Sequence, residues 1–227
     1  MKNLFHTLFA LGVACVTFAA SAQGQAPAPS PAAGSKSIEA RTAMCMGCHN
    51  ILGYQSSFPE VYHVPKIAGQ SAKYIASALT AYRKGDRKHP TMRAIAGSLS
   101  DQDIADISDY YSKLAGVTTL PDTPAKQPDA QVDALLKKAN CISCHGSNFS
   151  KPIDPTYPKI AGQNADYLFV ALKAYKTENN PQMGRGNPIM GAMAKQFTNN
   201  ELKALANYVG SLDGELKIVP ESRFHQH

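Results

Sequence analysis

Apolar residues fall at helical rather than alternating spacing through most of this chain. Within residues 72–83, Ile75, Leu79 and Tyr82 recur at i, i+4 and i+7, and residues 165–176 show the same kind of spacing. Ser100 with Asp103, and Thr198 with Glu201, have the form of capping boxes and predict helices ending near Leu114 and Leu212. Residues 37–48 and 128–141 read as shorter helices. No run alternates apolar with polar positions, so the expected fold class is all-α. One apolar run differs in kind: Leu8 to Ala20 follows Lys2 and precedes the small residues Ala20-Ser21-Ala22. That is the form of a secretory signal peptide over 1–22, too short for a transmembrane span. No later segment is apolar enough to predict one.

Breaks in the pattern divide the rest. Residues 23–37 are rich in Ala, Pro, Gly and Ser, which cannot bury a core, and read as a flexible lead-in. Pro121, Pro124 and Pro128 among polar neighbours mark 116–130 as a linker. Two domains are expected, at 38–115 and 131–213, with a tail at 214–227 on which His225 and His227 should fray. The domains read as copies. Pro65-Lys66-Ile67-Ala68-Gly69-Gln70 returns as Pro158-Lys159-Ile160-Ala161-Gly162-Gln163, and Tyr74 and Tyr82 return as Tyr167 and Tyr175.

A pentapeptide heads each copy: Cys45-Met46-Gly47-Cys48-His49 and Cys141-Ile142-Ser143-Cys144-His145. CxxCH is the attachment signature of c-type haem. Two thiols reach the two vinyl groups on one porphyrin edge, and the adjacent His is placed to bind iron. A thioredoxin-like dithiol would need a βαβ pattern, and paired zinc motifs usually lie ~15–20 residues apart; neither condition is met. Two covalent haems are therefore expected. The fifth cysteine, Cys15, leaves with the leader, so no disulfide is predicted. Haem c is attached outside the cytoplasm, which agrees with a leader and places the mature protein in a periplasm.

The other axial face decides what such a haem does. An open face permits catalysis or gas binding, whereas Met closes it and raises the potential. Met92 and Met190 each follow a proline by two residues and precede the cap of the last helix by eight. That register selects Met190 over Met193, which aligns with Ile95; Met183 has no counterpart, and Met44 and Met46 read as packing or exposed residues. The iron ligands expected are thus His49 with Met92 and His145 with Met190. His63 and His89 are rivals, but neither has a His counterpart in the second copy. His89 reads as a surface residue and His63 as a loop residue without an assigned role.

These motifs together resemble the dihaem cytochrome c4 family, two class I cytochrome c domains in tandem, over about residues 38–213. The resemblance implies Met92 and Met190 as sixth ligands. It also implies Pro65 and Pro158 beside the haem histidines, where a proline carbonyl accepts the imidazole N–H and tunes its basicity. One stretch departs from the pattern. Members commonly follow the first motif with a Gly-Pro-rich loop, where this chain has the aromatic run 50–63; residues 146–148 are closer to it.

The chain holds 23 basic and 17 acidic residues. The propionates of two haems would offset most of the excess, so nucleic acid is not implied as a partner. Arg83, Lys84, Arg87, Lys88 and Arg93 crowd around Asp86 and form a candidate docking patch for an acidic redox protein; Asp101, Asp103, Asp106 and Asp109 read as an ordinary acidic helix face. The expected function is a periplasmic electron carrier with no catalytic residues. By the resemblance, a quinol-oxidising complex is the donor and a terminal oxidase the acceptor. The alternatives are a cytochrome subunit of a dehydrogenase, such as flavocytochrome c sulfide dehydrogenase, and a dihaem peroxidase, which needs one iron without a strong sixth ligand.

Overall fold

The computed structural model describes residues 37–221; the expected leader, Cys15, nearly all of the lead-in, His225 and His227 lie outside the described residues. In the first half, Ser37 caps α1 (Ile38–His49) by accepting the Ala40 N–H. An antiparallel hairpin follows, β1 (Gln55–Ser56) and β2 (Tyr62–His63), with Gln55 opposite His63. Then come α2 (Ala72–Lys84), a two-residue strand β3 (Arg87–Lys88), α3 (Pro90–Gly97) and α4 (Asp101–Leu114). The second half has α5 (Ala130–Ala139), α6 (Ile142–His145), α7 (Ala165–Lys176), β4 (Gly184–Arg185), α8 (Pro188–Lys195) and α9 (Asn199–Gly210). No helix among the described residues is long and apolar enough to cross a membrane.

Both capping boxes form: Ser100 and Thr198 accept the N–H three residues on, while Asp103 and Glu201 reach back to the cap. Each half builds its own core. In the first, Ile75 and Leu79 of α2 pack with Ile104, Ile107 and Tyr111 of α4. In the second, Leu168 of α7 packs with Leu202, Leu205 and Val209 of α9. Burying each such side chain is worth about 1.5–3 kcal/mol. The four tiny strands were not predicted, because two residues cannot carry a period-two signal.

Helices α3 and α8 were also missed, although their start signals stand in the sequence. Pro90 and Pro188 occupy the first helical turn, where a missing N–H is harmless. His89 Nδ1 and Asn187 Oδ1 accept the N–H of Met92 and Met190, at 3.3 and 2.9 Å. His89 is thus a half-buried helix cap rather than a surface residue. One further difference separates the copies. The first motif closes an unbroken helix, whereas α5 stops at Asn140, in the left-handed region at φ 47°, and the second motif starts a fresh turn.

The Pro-Lys-Ile-Ala-Gly-Gln blocks face one another across the two halves. Gln163 Oε1 accepts the Lys66 N–H at 3.0 Å, and Gln163 Nε2 donates to the Lys66 carbonyl at 2.9 Å. Gln70 makes the same pair of bonds to Lys159, at 3.0 and 2.9 Å. Lys66 Nζ donates to Gly162 O and Lys159 Nζ to Gly69 O, at 2.7 and 2.9 Å. Residue i meets j and j meets i, the exchange expected of a two-fold interface, here made within one chain. The glycines are required: Gly69 and Gly162 have φ of +84° and +68°, and a Cβ on Gly69 would lie 2.6 Å from Glu215 O. Replacing Gln163 by Ala should strand the Lys66 N–H and C=O. At ~1–3 kcal/mol for each group left unpaired, a loss of about 2–6 kcal/mol is expected, readable by chemical denaturation. A loss below ~0.5 kcal/mol, the size of an ordinary surface change, would contradict this account of the interface.

Connecting segments reinforce the pairing. The linker runs along α9, where Tyr208 Oη donates to Lys126 O at 3.1 Å. The described part of the tail does not hang free. It returns to the first half, burying Leu216, donating from Lys217 N to Ala68 O at 3.0 Å and accepting Asn50 Nδ2 at Val219 O at 2.7 Å.

Candidate cofactor site

One continuous cavity of about 930 Å³ passes through both halves. It reaches all four cysteines of the two motifs, both motif histidines, Met92 and Met190. Met193 and its register partner Ile95 line it too, while Met46 is buried in the core and Met44 is exposed at the rim.

The histidines are set in the same way. His49 Nδ1 lies 2.8 Å from Pro65 O, and His145 Nδ1 lies 3.0 Å from Pro158 O. A carbonyl can only accept, so each Nδ1 carries the proton and donates. The Nε2 lone pair is therefore left available to a metal. Burial holds both imidazoles below the usual histidine range, although the proline carbonyls favour the charged form.

The surroundings of Cys45 and Cys141 do not favour a reactive thiolate, since burial raises both thiols. All four described cysteines are free, and burial pushes Cys45 up to about 11; a reactive thiol sits in an electropositive, partly exposed place instead. Nor do they converge on a zinc site: no group of three His, Cys, Asp or Glu among the described residues could hold a metal.

Between the two ends of the cavity lies a cluster that the sequence reading did not assemble. β3 and β4 pair antiparallel with Arg87 opposite Arg185. Arg87 donates to Tyr74 and Tyr167 hydroxyls at 3.2 and 2.7 Å and stacks over Tyr82, 4.6 Å from its ring centre. Arg185 donates to Tyr167 at 3.0 Å and lies over the Tyr167 and Tyr175 rings. Burial would raise the Tyr167 hydroxyl, but the two guanidinium groups override it and hold it at about 8. Neither arginine forms a salt bridge among the described residues, and Arg87 Nε is buried without a hydrogen-bond partner there. Two enclosed positive charges without a counter-charge are costly. An apolar cofactor bearing carboxylates would complete this site, filling the cavity and placing anions against the arginines, and haem is such a molecule. The signal was available: Arg87 and Arg185 each precede their Met by five residues.

The docking patch needs correcting for the same reason. Arg87 is enclosed between the halves, Lys88 Nζ donates to Asn180 O of the second half at 2.9 Å, and Arg83 pairs with Asp101 at 2.6 Å. Of the five, Lys84 and Arg93 are exposed. Arg87 and Lys88 thus belong to the contact between the halves rather than to a free surface. The acidic face of α4 is likewise engaged: Arg41 of α1 pairs with Asp103 and Asp106. His63 has a partner in the second half, with its backbone N–H and Nδ1 reaching Asp166 Oδ2 at 2.9 and 2.7 Å.

Comparison with known proteins agrees with this geometry. The family described as Cytochrome c matches residues 31–115 and 130–213. The chain is 29% identical to cytochrome c4 of Stutzerimonas stutzeri over 93% of its own length and 99% of that protein's. It is 27% identical to a thiosulfate dehydrogenase electron acceptor of Stutzerimonas stutzeri strain A1501, over 74% and 78%. The solved Acidithiobacillus ferrooxidans cytochrome c4 superposes with a TM-score of 0.55 at 25% identity, covering 75% of this chain and 99% of that one. With a duplicated motif, a duplicated cavity lining and both halves matched, the chain belongs to the cytochrome c family as a dihaem member of the cytochrome c4 type, and carries two covalently bound haem c groups.

Proposed function

We propose that the protein is a periplasmic single-electron carrier in which both haems are closed by His and Met. The observation that carries this reading is the matched lining of the cavity: each half contributes a motif histidine with Nδ1 engaged and a methionine at the third position of a capped helix. In each half the two cysteines would hold the porphyrin edge as thioethers. His49 with Met92, and His145 with Met190, would be the axial donors. When bound, haem supplies a one-electron ferric/ferrous couple. The chain's task is then to hold its donors still, and the helix caps and proline carbonyls do so, which keeps the reorganisation between oxidation states small. The two cavity ends join through the Arg–Tyr cluster, which supports a short relay between haems.

The wider assignment is a carrier between respiratory partners, from a quinol-oxidising complex towards a terminal oxidase. Similarity to proteins described as thiosulfate dehydrogenase electron acceptors favours a second reading, in which a dehydrogenase is the donor. Stopped-flow mixing of the ferric protein with each donor separates them. Under the first reading a quinol-oxidising complex reduces both haems at catalytically useful rates and a thiosulfate-oxidising dehydrogenase does not. The reverse result transfers the protein to the dehydrogenase.

A further inference from the structure

The aromatic run 50–63 that follows the first motif is built as a wall held by the opposite half. The hairpin β1–β2 lines the first end of the cavity through Tyr54, Gln55, Ser56, Phe58 and Tyr62. Tyr62 is buried, with its ring 6.0 Å from Tyr167 of α7 and 6.4 Å from His89. An ion pair and a hydrogen-bonded pair fasten the outer arm of the hairpin to α7. Glu60 meets Lys173 Nζ at 2.5 Å with both side chains about three-quarters buried, and His63 meets Asp166 as described. Lys173 is itself steadied over the Phe169 ring, 4.8 Å from its centre.

The copy relation shows that this is not a feature of the repeat. The positions of α2 that match Asp166 and Lys173 are Lys73 and Thr80, which offer no such pair. The segment of the second half that matches the hairpin has no strand; it is tied to the linker, where Lys151 pairs with Asp122 and Asn148 donates to Pro121 O at 2.7 and 2.8 Å, and to the first half, where Ser71 Oγ donates to Pro155 O at 2.5 Å. So α7 holds the hairpin over the first cavity end through two side-chain pairs, whereas the matching segment, whose Thr156 and Tyr157 also line the cavity, meets the start of α2 through the Ser71 hydroxyl.

Given the haem placement proposed above, we infer that Asp166 and Lys173 are positioning residues for the first haem, acting through the hairpin to keep water from its edge. Ferric haem carries one more positive charge than ferrous haem. A dry, low-dielectric edge disfavours the ferric form, so exclusion of solvent raises the potential. The clasp therefore raises the potential of the first haem above the value it would have with the hairpin released.

The test is an NMR-followed redox titration of the holoprotein, reading each haem's own methyl signals, on E60Q, D166N and the pair combined. Amide hydrogen exchange over 54–63 is measured alongside. The combined variant should lower the first haem's ferrous-to-ferric equilibrium by roughly three- to tenfold, tenfold being about 59 mV for one electron. The second haem should stay in place and exchange in the hairpin should quicken. K173R, which keeps the charge, should retain the parental potential, and K173M should not. Equal shifts at both haems would reduce the clasp to general interface support, and faster exchange without a shift at the first haem would refute the inference. Loss of low-spin signals from the parent protein would instead overturn the haem placement on which it rests.

Discussion

Replacing both Cys45 and Cys48 by Ala should give a protein with one haem and a first domain that no longer folds stably. The cavity through both halves measures about 930 Å³. Unfilled core volume costs about 24 cal/mol per Å³. Even half of this cavity left empty would then cost on the order of 10 kcal/mol, as much as the whole stability of a typical domain, ~5–15 kcal/mol. The unpaired charge of Arg87 and Arg185 adds to that penalty. The cavity walls, Ile107 and Leu205 among them, also belong to the two packed cores, which limits how far they can collapse into the space. Pyridine haemochrome analysis should therefore find half the parental haem per chain, with helical circular dichroism substantially reduced. A variant that keeps native helicity and thermal stability with one haem would contradict this account of the core.

The second large effect is expected at the methionines. Met92→Ala and Met190→Ala should each convert one haem, and only one, to a high-spin form that binds carbon monoxide when reduced. Its potential should fall by a substantial part of the ~0.8 V range that axial ligation spans. Each methionine is held at the third position of a helix whose cap bonds its N–H, His89 in one half and Asn187 in the other. Removing the side chain leaves that helix in place, so the loss should be confined to ligation. Met193 lines the cavity near Met190, and Met193→Ala is the control: it should leave both haems low-spin. If Met193→Ala opens the second haem and Met190→Ala does not, the register argument fails.

Much of this was legible in the sequence because its signals are local. CxxCH, the capping boxes and a block repeated across the halves need no tertiary information. Other features were local but passed over: His89-Pro90 and Asn187-Pro188 are cap-and-proline starts that mark α3 and α8. The interface was not legible in the same way. Arg87 and Lys88 read as a docking patch because a charge run is ordinarily solvated. Only the β3–β4 pairing turns them inward, and two-residue strands leave no periodic trace. His63 was opaque for a similar reason, since its partner Asp166 lies in the other copy. The repeat disclosed two like domains but not that Lys66 and Gln163 bond across them. Self-recognition between copies shows in sequence only as the repetition itself.

The most direct test of the central claim is the optical spectrum of the purified ferric protein with haem counted per chain, followed by exposure of the ferrous form to carbon monoxide. Two haems per chain, both low-spin, both contributing the weak near-red Met–iron band and neither taking up carbon monoxide, is the predicted result. A high-spin haem that binds carbon monoxide in the parent protein would contradict it, and would mark that domain as an open site rather than a closed carrier.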